Sequence, residues 1–244
     1  KKNRFIIKNV NVNLTKALNR VCAKEVFSPV NYPSSNNTAF DGFAVNSKET
    51  SFLSNKKNKK FKIIKILAAG DNPNIKKVPK FSTIEVMTGA IIQRPFDTII
   101  PVEQVSFFPN KLKAKYIILN KKIKKNQFIR PAGSDFKKGN RVIKKGQFIN
   151  PSHILALKTL GIDKILVKKK PSIIFYPTGN ELSQMKKIPK WKIRNSNSMY
   201  LEAFIKNLPI NFKIKKILRD KDLKSFRKEI KKNIKLDSDL VITS

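Results

Sequence analysis

From Pro171 onward, apolar stretches typical of buried strands alternate with stretches that have helical spacing. This alternation constrains the fold most, because strands that are joined by helices run parallel in one sheet. The predicted elements are, in order, strand Ser172–Tyr176, helix Met199–Leu208, strand Lys213–Leu218, helix Leu223–Ile234 and strand Leu240–Ile242. The last third of the chain is therefore predicted to form a parallel α/β sheet.

Residues 40–150 show a different pattern, in which short apolar stretches are separated by turn signals such as Gly70-Asp71-Asn72-Pro73. Such regular spacing predicts a β-rich barrel or sandwich. The lysine- and asparagine-rich run 55–60 is interpreted as an exposed hairpin tip, with disorder as the alternative. The predicted strands are Phe43–Val45, Phe61–Ala68, Thr83–Met87, Thr98–Val102, Tyr116–Leu119 and Gln127–Ile129.

Two further helices are predicted on either side of this β-rich region. Residues 12–26 place Leu14, Ala17, Leu18 and Val21 at helical spacing. Residues 151–160 begin with Pro151 or Ser152 and end before Gly161, which is the usual placement of proline and glycine around a helix. A short strand, Ile162–Val167, follows. The fold class is thus a multidomain combination of α/β and β structure.

The strongly basic composition raises the question of nucleic-acid binding. The net charge is +37, but only eight of the 53 basic residues are arginine, the better partner for bases and phosphates. The lysines are spread over nearly the whole chain, and the chain is also rich in Asn, Ile and Phe, which AT-rich codons specify. We therefore interpret the charge as a result of codon bias and regard nucleic acid as the less favoured partner. The surface is still expected to attract anions.

Cys22 is the only cysteine and His153 the only histidine, which excludes an internal disulfide and a Cys/His zinc cluster. This usage fits the cytoplasm, and no apolar run is long enough to predict a membrane span. We interpret Cys22 as a core residue and His153 as a solvated residue of the first helical turn.

The chain has only 16 acidic residues, and several of them stand beside glycines or at predicted strand ends. Asp41 precedes Gly42, and Asp135 follows Gly133-Ser134. Glu181 and Asp220 follow two strands of the predicted parallel sheet, where carboxylates can hold Mg²⁺ against a phosphate. The alternative is that each is a turn or helix-cap residue.

The tripeptide Thr88-Gly89-Ala90 follows the predicted strand Thr83–Met87. A glycine at this place lets backbone N–H groups approach an anion, and a plain tight turn is the alternative.

Several segments together resemble the molybdopterin molybdenumtransferase family, the bacterial MoeA type and its eukaryotic relative, the gephyrin E domain. Their order and spacing hold from about residue 12 to the end of the chain. The segments that match, each with the family pattern, are Asn37–Val45 (Ser-Ala-Met-Asp-Gly-Tyr-Ala-Val), Glu85–Ala90 with Asp97–Gln104 (Ile-Met-Thr-Gly-Ala and Val-Glu-Gln), Ile129–Asp135 (Ile-Arg-x-x-Gly-Glu-Asp), Thr178–Leu182 (Thr-Gly-Asp-Glu-Leu), Asn195–Ser198 (Asp-Ser-Asn-Ser) and Arg219-Asp220 (Arg-Asp).

The resemblance implies an architecture of three domains. Residues 1–36 and 139–168 would form an elongated helical and extended domain, 37–138 an inserted barrel-like β-rich domain, and 169–244 a partial molybdopterin-binding α/β domain. It also implies a homodimer whose active site lies between the β-rich domain of one subunit and the α/β domain of the other.

The implied reaction inserts molybdate into adenylylated molybdopterin and releases AMP with the help of Mg²⁺. A molybdopterin adenylyltransferase and acceptor molybdoenzymes are the implied partners. The catalytic residues carried over from the family are Asp41, Thr88, Asp135, Glu181 and Asp220. Molybdopterin would be bound by Thr178, Gly179, Asn197, Thr88 and Gly89, and the metal by Glu181, Asp220 and Asp41. The alternative is an inactive scaffold or binding module of the same fold.

Four positions depart from the family pattern. Phe40 replaces methionine, and Ser134, Asn180 and Asn195 each replace an acid. The chain also stops at Ser244, where the family continues with a glycine-rich loop, catalytic lysines and a further β domain. We therefore expect the 244 residues alone not to catalyse the insertion.

Overall fold

The computed structural model of the protein describes residues 7–219, 223–235 and 238–244. Within these residues the chain forms short strands, three α-helices and three single-turn 3₁₀ helices. The strands are, in order, β1 Asn9–Asn13, β2 Val26–Phe27, β3 Asn37–Thr38, β4 Gly42–Val45, β5 Lys59–Leu67, β6 Ser82–Val86, β7 Thr98–Pro101, β8 Ser106–Phe108, β9 Tyr116–Leu119, β10 Ile129–Arg130, β11 Arg141–Ile143, β12 Lys164–Lys168, β13 Ser172–Tyr176, β14 Leu182–Ser183, β15 Ile193–Arg194, β16 Asn211–Ile214 and β17 Leu240–Thr243. The helices are α1 Pro151–Thr159, α2 Ser196–Ile205 and α3 Leu223–Lys235, and the 3₁₀ helices are Leu14–Lys16, Ser47–Thr50 and Val102–Gln104.

The chain divides into two compact units. The first takes the chain up to Val26 and again from Arg141 onward, and the second is Phe27–Asn140, which we call the β unit. The sequence predicts a further division of the first unit near residue 168, which would give three domains in all. This further division stays a prediction.

The β unit is built on a six-stranded sheet with the strand order β7-β4-β6-β5-β9-β8. Neighbouring strands are antiparallel except β5 and β6, which run parallel with an irregularity between Ile63 and Lys65. The β-rich region is thus observed as predicted, but the strand order has two ends, β7 and β8, so the sheet is an open mixed sheet rather than a closed barrel.

Both faces of this sheet are covered by apolar cores. Successive side chains of a strand point to opposite faces, so one strand contributes to both cores. Phe43 and Val45 of β4 belong to one core, whereas Ala44 between them belongs to the other. Ile100 and Ile99 of β7 divide in the same way. Burial on both faces explains why these strands read as continuous apolar stretches rather than as an alternating pattern.

In the first unit, β1 pairs antiparallel with β12, with Val10 opposite Val167. Helix α1 packs against the same core, and Asn150 caps it in a capping box with His153. His153 is thus a helix-capping residue on the surface, and Pro151 is the first helical residue, as predicted. The buried residues of this core are Leu14, Ala17, Cys22, Ile143, Ile149, Leu157, Ile165 and Val167.

The helix predicted over residues 12–26 is wrong. Residues up to Asn13 belong to β1, and only Leu14–Lys16 form a single 3₁₀ turn. Beyond it, the backbone N–H of Cys22 donates to Gln147 O and that of Ala23 to Leu166 O. These distant partners replace the local bonds of a helix, so tertiary pairing outweighs the helical spacing of Leu14 and Ala17.

The predicted parallel sheet is confirmed. It has the order β16-β13-β17, and β13 runs parallel to both neighbours, with Ile174 opposite Lys213 and Val241. Ile174, Tyr176 and Leu218 form its buried core. In the parts of the chain that the structure describes, the longest helix, α3, has 13 residues, and none is long and apolar enough to cross a bilayer.

Candidate functional site

Asp41 lies immediately before β4, and the close approach of β4 to β7 fixes its position. Gly42 is opposite Pro101, and a Cβ atom on Gly42 would overlap the Ile100 carbonyl oxygen and lie 2.9 Å from the Ile100 carbonyl carbon. The Asp41 carbonyl oxygen in turn accepts from the Val102 N–H at 3.2 Å. Glycine is therefore needed at position 42, because no side chain fits where the two strands meet.

The Asp41 carboxylate is bound by Thr88. Oδ1 of Asp41 accepts from the Thr88 backbone N–H at 2.6 Å and from the Thr88 hydroxyl at 2.7 Å. The register explains this contact, because Gly42 lies opposite Val86 and the loop after β6 therefore begins beside Asp41. The two hydrogen bonds, the one from the hydroxyl first, hold the pKa of the Asp41 carboxyl below its ordinary value.

Of the two interpretations that the tripeptide left open, the loop after β6 fits the plain tight turn rather than the anion-binding turn. Gly89 has a φ of +88°, but its N–H donates to Thr38 O at 3.0 Å, and the Ala90 N–H donates to Met87 O at 2.9 Å. Because Thr88 already donates both its hydrogens to Asp41, the donors of this loop are used within the protein. Thr88 and Gly89 therefore serve here to position Asp41, and binding of molybdopterin by them stays a prediction.

Asp135 lies in a second loop of the β unit, where Arg130 forms an ion pair with its Oδ2. Ser134, one of the positions where an acid is replaced, donates its hydroxyl to Oδ1 of Asp135 at 3.3 Å. The hydrogen bond from Arg130 is the main reason that the pKa of the Asp135 carboxyl is below its ordinary value.

Strand β3 connects the two loops. Thr38 accepts from Gly89 in the Thr88 loop, and the residues of β3 pair with β10, so that Asn37 lies opposite Arg130. Just before β3, Oδ1 of Asn36 accepts from the Ala132 N–H at 2.9 Å. Asp41, Thr88 and Asp135 thus lie on segments that β3 ties together. That the three residues form one side of an active site, as the resemblance implies, stays a prediction.

The first unit carries the other predicted residues, at the end of β13. Thr178 pairs with Leu218, and its N–H donates to Ser244 O at 3.0 Å. Gly179 has a φ of +140°, and a Cβ atom there would overlap Oε1 of Glu181 and lie 2.8 Å from its Cδ. Glycine at position 179 therefore leaves room for the Glu181 carboxylate to fold back over the turn.

Arg219 holds this turn in place. Its Nη1 donates to three carbonyl oxygens, those of Gly179 and Asn180 at 3.0 Å and that of Leu182 at 2.9 Å. Lys192 also donates to the Asn180 oxygen. Sequence reasoning did not single out Arg219 or Arg130 as site residues. The signal that was available for both is that each stands inside a segment that matches the family pattern.

Asn197 lies exposed in the first turn of α2. The helix is capped by Asn195, whose Oδ1 accepts from the Ser198 N–H at 3.3 Å. Asn195 therefore still caps the helix although it replaces an acid. Asp220 lies outside the described residues.

The predicted metal ligands do not form a preformed cluster in the described part of the chain. Across residues 7–219, 223–235 and 238–244, no group of three His, Cys, Asp or Glu side chains could hold a metal ion. Asp41 belongs to the β unit and Glu181 to the first unit. Each of them offers one carboxylate, which suits Mg²⁺ only when waters and ligand phosphates complete the shell.

Comparison with known proteins identifies the family. The family model for the MoeA N-terminal region (domain I and II) matches residues 2–161, well over half of the chain. The chain belongs to the MoeA family. The segment Thr-Ala-Phe-Asp-Gly, which contains Asp41 and Gly42 and resembles the family pattern Ser-Ala-Met-Asp-Gly, lies within the matched residues.

Two curated relatives that the chain resembles are molybdopterin molybdenumtransferases. The molybdopterin molybdenumtransferase of Staphylococcus epidermidis is 31% identical over 239 residues, which cover 98% of this chain and 55% of the relative. That of Staphylococcus aureus is 32% identical over 236 residues, or 96% of this chain and 54% of the relative. The chain therefore spans about half the length of the curated relatives that it matches.

The fold is also MoeA-like. The crystal structure of the molybdopterin biosynthesis MoeA protein from Pyrococcus horikoshii aligns with a TM-score of 0.87 at 26% sequence identity. The alignment covers 98% of this chain and 60% of that structure. This similarity confirms the predicted fold in its coarse form, with mixed sheets and few helices.

Proposed function

We propose that this chain is part of a molybdopterin molybdenumtransferase and acts in molybdenum cofactor biosynthesis. In the proposed reaction, molybdate is inserted into adenylylated molybdopterin and AMP is released. The observation that carries the proposal is the bond between Asp41 and Thr88, because it joins two family motifs that are 47 residues apart. The names of the curated relatives support the same activity.

In this proposal, Asp41 is the catalytic carboxylate of the β unit and Thr88 its positioning residue. Both bonds from Thr88 reach Oδ1, and among the described residues no hydrogen bond is donated to Oδ2. The exposed Oδ2 is thus free to accept a hydrogen bond from the substrate, and the lowered pKa favours the ionised carboxylate.

Asp135 takes a different role in this proposal. Its carboxylate already pairs with Arg130, which makes it a poorer ligand for a metal than a free carboxylate. We propose that the Arg130–Asp135 pair orients the loop beside Asp41. The remaining N–H groups of the Arg130 guanidinium would then bind an anionic substrate.

In the first unit, the turn that Arg219 holds is proposed to bind molybdopterin. Thr178 and Gly179 lie at the carboxyl end of a parallel strand, where ligands bind in open α/β sheets. Glu181 presents its carboxylate at the same turn, and Asn197 presents an exposed amide from α2. Asp220 follows Arg219 and is proposed to belong to the same binding site on the basis of the family motif alone.

Mg²⁺ belongs to the proposal as an assisting ion. Asp41, Glu181 and Asp220 are the carboxylates that would hold it, each alongside waters and phosphate oxygens. When bound, the ion would supply positive charge that stabilises the leaving AMP. The homodimer, the adenylyltransferase and acceptor molybdoenzymes as partners, and the cytoplasmic location stay predictions.

The test is AMP release by a chimera in which this chain replaces the matching 54% of the Staphylococcus aureus relative. Given adenylylated molybdopterin and molybdate, the chimera is expected to release AMP and to need Mg²⁺. Binding of adenylylated molybdopterin without AMP release would favour an inactive binding module, and the absence of both would overturn the proposal.

A further inference from the structure

A polar cavity of about 590 Å³ lies in the β unit and is not used by the proposed reaction. It is bounded by the 3₁₀ helix Ser47–Thr50, by the loop before β7 and by the loop before β10. Its volume is within the range of pockets that hold small molecules, and it is many times larger than a single inorganic ion needs.

Three cationic side chains, Lys48, Arg94 and Lys125, line this cavity and are exposed. None of them forms an ion pair with any residue that the structure describes. The single acid in the lining is Asp97, so the cavity carries an excess of positive charge.

The side-chain acceptors of Asp97, Asn36 and Asn46 in the cavity lining are engaged within the protein. Both oxygens of Asp97 accept from Ser47, Oδ1 from its N–H at 2.7 Å and Oδ2 from its hydroxyl at 2.9 Å. Oδ1 of Asn36 accepts from Ala132, and Oδ1 of Asn46 accepts from the Lys48 N–H at 3.1 Å. The amide NH₂ groups of Asn36 and Asn46 therefore remain as donors beside the three cations.

The lining also includes apolar side chains. Ile92 and Phe96 are 7% and 3% exposed, and Ile129 packs against the same core. The lining thus combines cations and amide donors with apolar side chains. That combination suits a ligand with an oxyanion at one end and an apolar or aromatic group at the other.

We propose that this cavity binds a small phosphate monoester that carries a ring. Arg94, with its planar fork of donors, is the main phosphate ligand, and Lys48 and Lys125 complete the charge. The ring lies against Ile92 and Phe96. Neither Asp41 nor Thr88 lines this cavity, so the inference does not depend on the proposed function.

The test is calorimetric titration of the 244-residue protein with phenyl phosphate and with inorganic phosphate at physiological ionic strength, where general surface charge is partly screened. Phenyl phosphate is expected to bind more tightly than inorganic phosphate. Arg94→Gln and Lys125→Gln are each expected to weaken it by about tenfold, the loss that one charged hydrogen bond gives. Lys111→Gln removes the same charge from an exposed turn of the same unit and is expected to leave the affinity within about twofold.

Asp41→Asn separates this site from the proposed reaction and is expected to leave phenyl phosphate binding unchanged. Unfolding midpoints that match the parent protein would confirm that the variants fold. The proposal is overturned if phenyl phosphate does not bind, if Lys111→Gln weakens binding as much as Arg94→Gln and Lys125→Gln do, or if Asp41→Asn abolishes it.

Discussion

Oδ1 of Asp41 accepts hydrogen bonds from both the backbone N–H and the hydroxyl of Thr88, at 2.6 and 2.7 Å. The two residues are 47 positions apart and meet because β4 and β6 are neighbours in the sheet. The contact fixes one carboxylate oxygen, leaves the other without a hydrogen bond from the described residues and lowers the pKa of the carboxyl.

Replacing Thr88 by alanine is expected to raise the pKa of Asp41 toward its ordinary value. The variant removes the hydroxyl donor, which contributes most to the lowered pKa, and keeps the backbone donor. Thr88→Ser, which retains the hydroxyl, is the control. The measurement is a ¹³C NMR titration of the Asp41 carboxyl, and an unchanged pKa in Thr88→Ala would show that the hydroxyl does not hold the carboxylate.

The same contact predicts a direction for the pH dependence of stability. Because the pKa of Asp41 is lower in the folded than in the unfolded protein, its contribution is fully present above the unfolded value of about 3.9. It is lost as the pH falls through the folded value. The difference in unfolding free energy between the parent protein and Thr88→Ala should therefore shrink under acid; a difference that grows instead would contradict the assignment.

Gly42→Ala is expected to destabilise the protein by about 3 kcal/mol, since a new methyl group would overlap the Ile100 carbonyl oxygen and push β4 away from β7. Gly70→Ala is the matched control. Its φ of +91° strains any side chain, but no atom lies within 4 Å, so a loss of about 1 kcal/mol is expected. Urea unfolding measures both, and equal losses would show that the close approach is not what requires glycine.

The predictable part of the fold is the part in which local sequence and tertiary structure agree. The strand over Ser172–Tyr176 and the helix from Pro151 were located from apolar pattern and from proline and glycine placement. The prediction for residues 12–26 failed because backbone hydrogen bonds of this segment go to partners more than a hundred positions away, such as the bond from the Cys22 N–H to Gln147 O. No local pattern encodes such partners.

The candidate site shows the same division. Family motifs pointed to Asp41, Thr88 and Glu181, but not to the bonds that hold them. Arg219 donates to three carbonyl oxygens of a turn about 40 positions away in the sequence, and no residue type marks a carbonyl group as an acceptor. Only the structure could show whether the donors of Thr88 and Gly89 are free, because it gives their partners.

Arg219→Ala is expected to loosen the turn 179–182 without unfolding the sheet. The Ile193 N–H donates to Glu181 O at 2.9 Å and should exchange with solvent about tenfold faster once the turn loses its three bonds from Arg219. Lys216→Ala, at an exposed nearby position, is the control. Hydrogen–deuterium exchange gives the rates, and equal protection of Ile193 in parent and Arg219→Ala would contradict the assignment.

Cys22 is expected to react slowly with thiol reagents in the folded protein. It is fully buried, and burial raises the pKa of its thiol more than the hydrogen bond to Lys24 O lowers it. Because it is the only cysteine, a single colour change with Ellman's reagent follows it. Reaction is expected to become fast only in denaturant; rapid reaction of the folded protein would place Cys22 outside the core.

In the proposed function, Asp41 serves molybdenum insertion rather than folding alone. The most direct measurement is the activity of a molybdenum-dependent enzyme in bacteria that lack their own molybdenumtransferase and carry the Staphylococcus aureus chimera. The unsubstituted chimera and its Thr88→Ser variant are expected to restore that activity, and Asp41→Asn, with the same unfolding midpoint, is expected to abolish it. Full activity with Asp41→Asn, or none with the unsubstituted chimera, would contradict the claim.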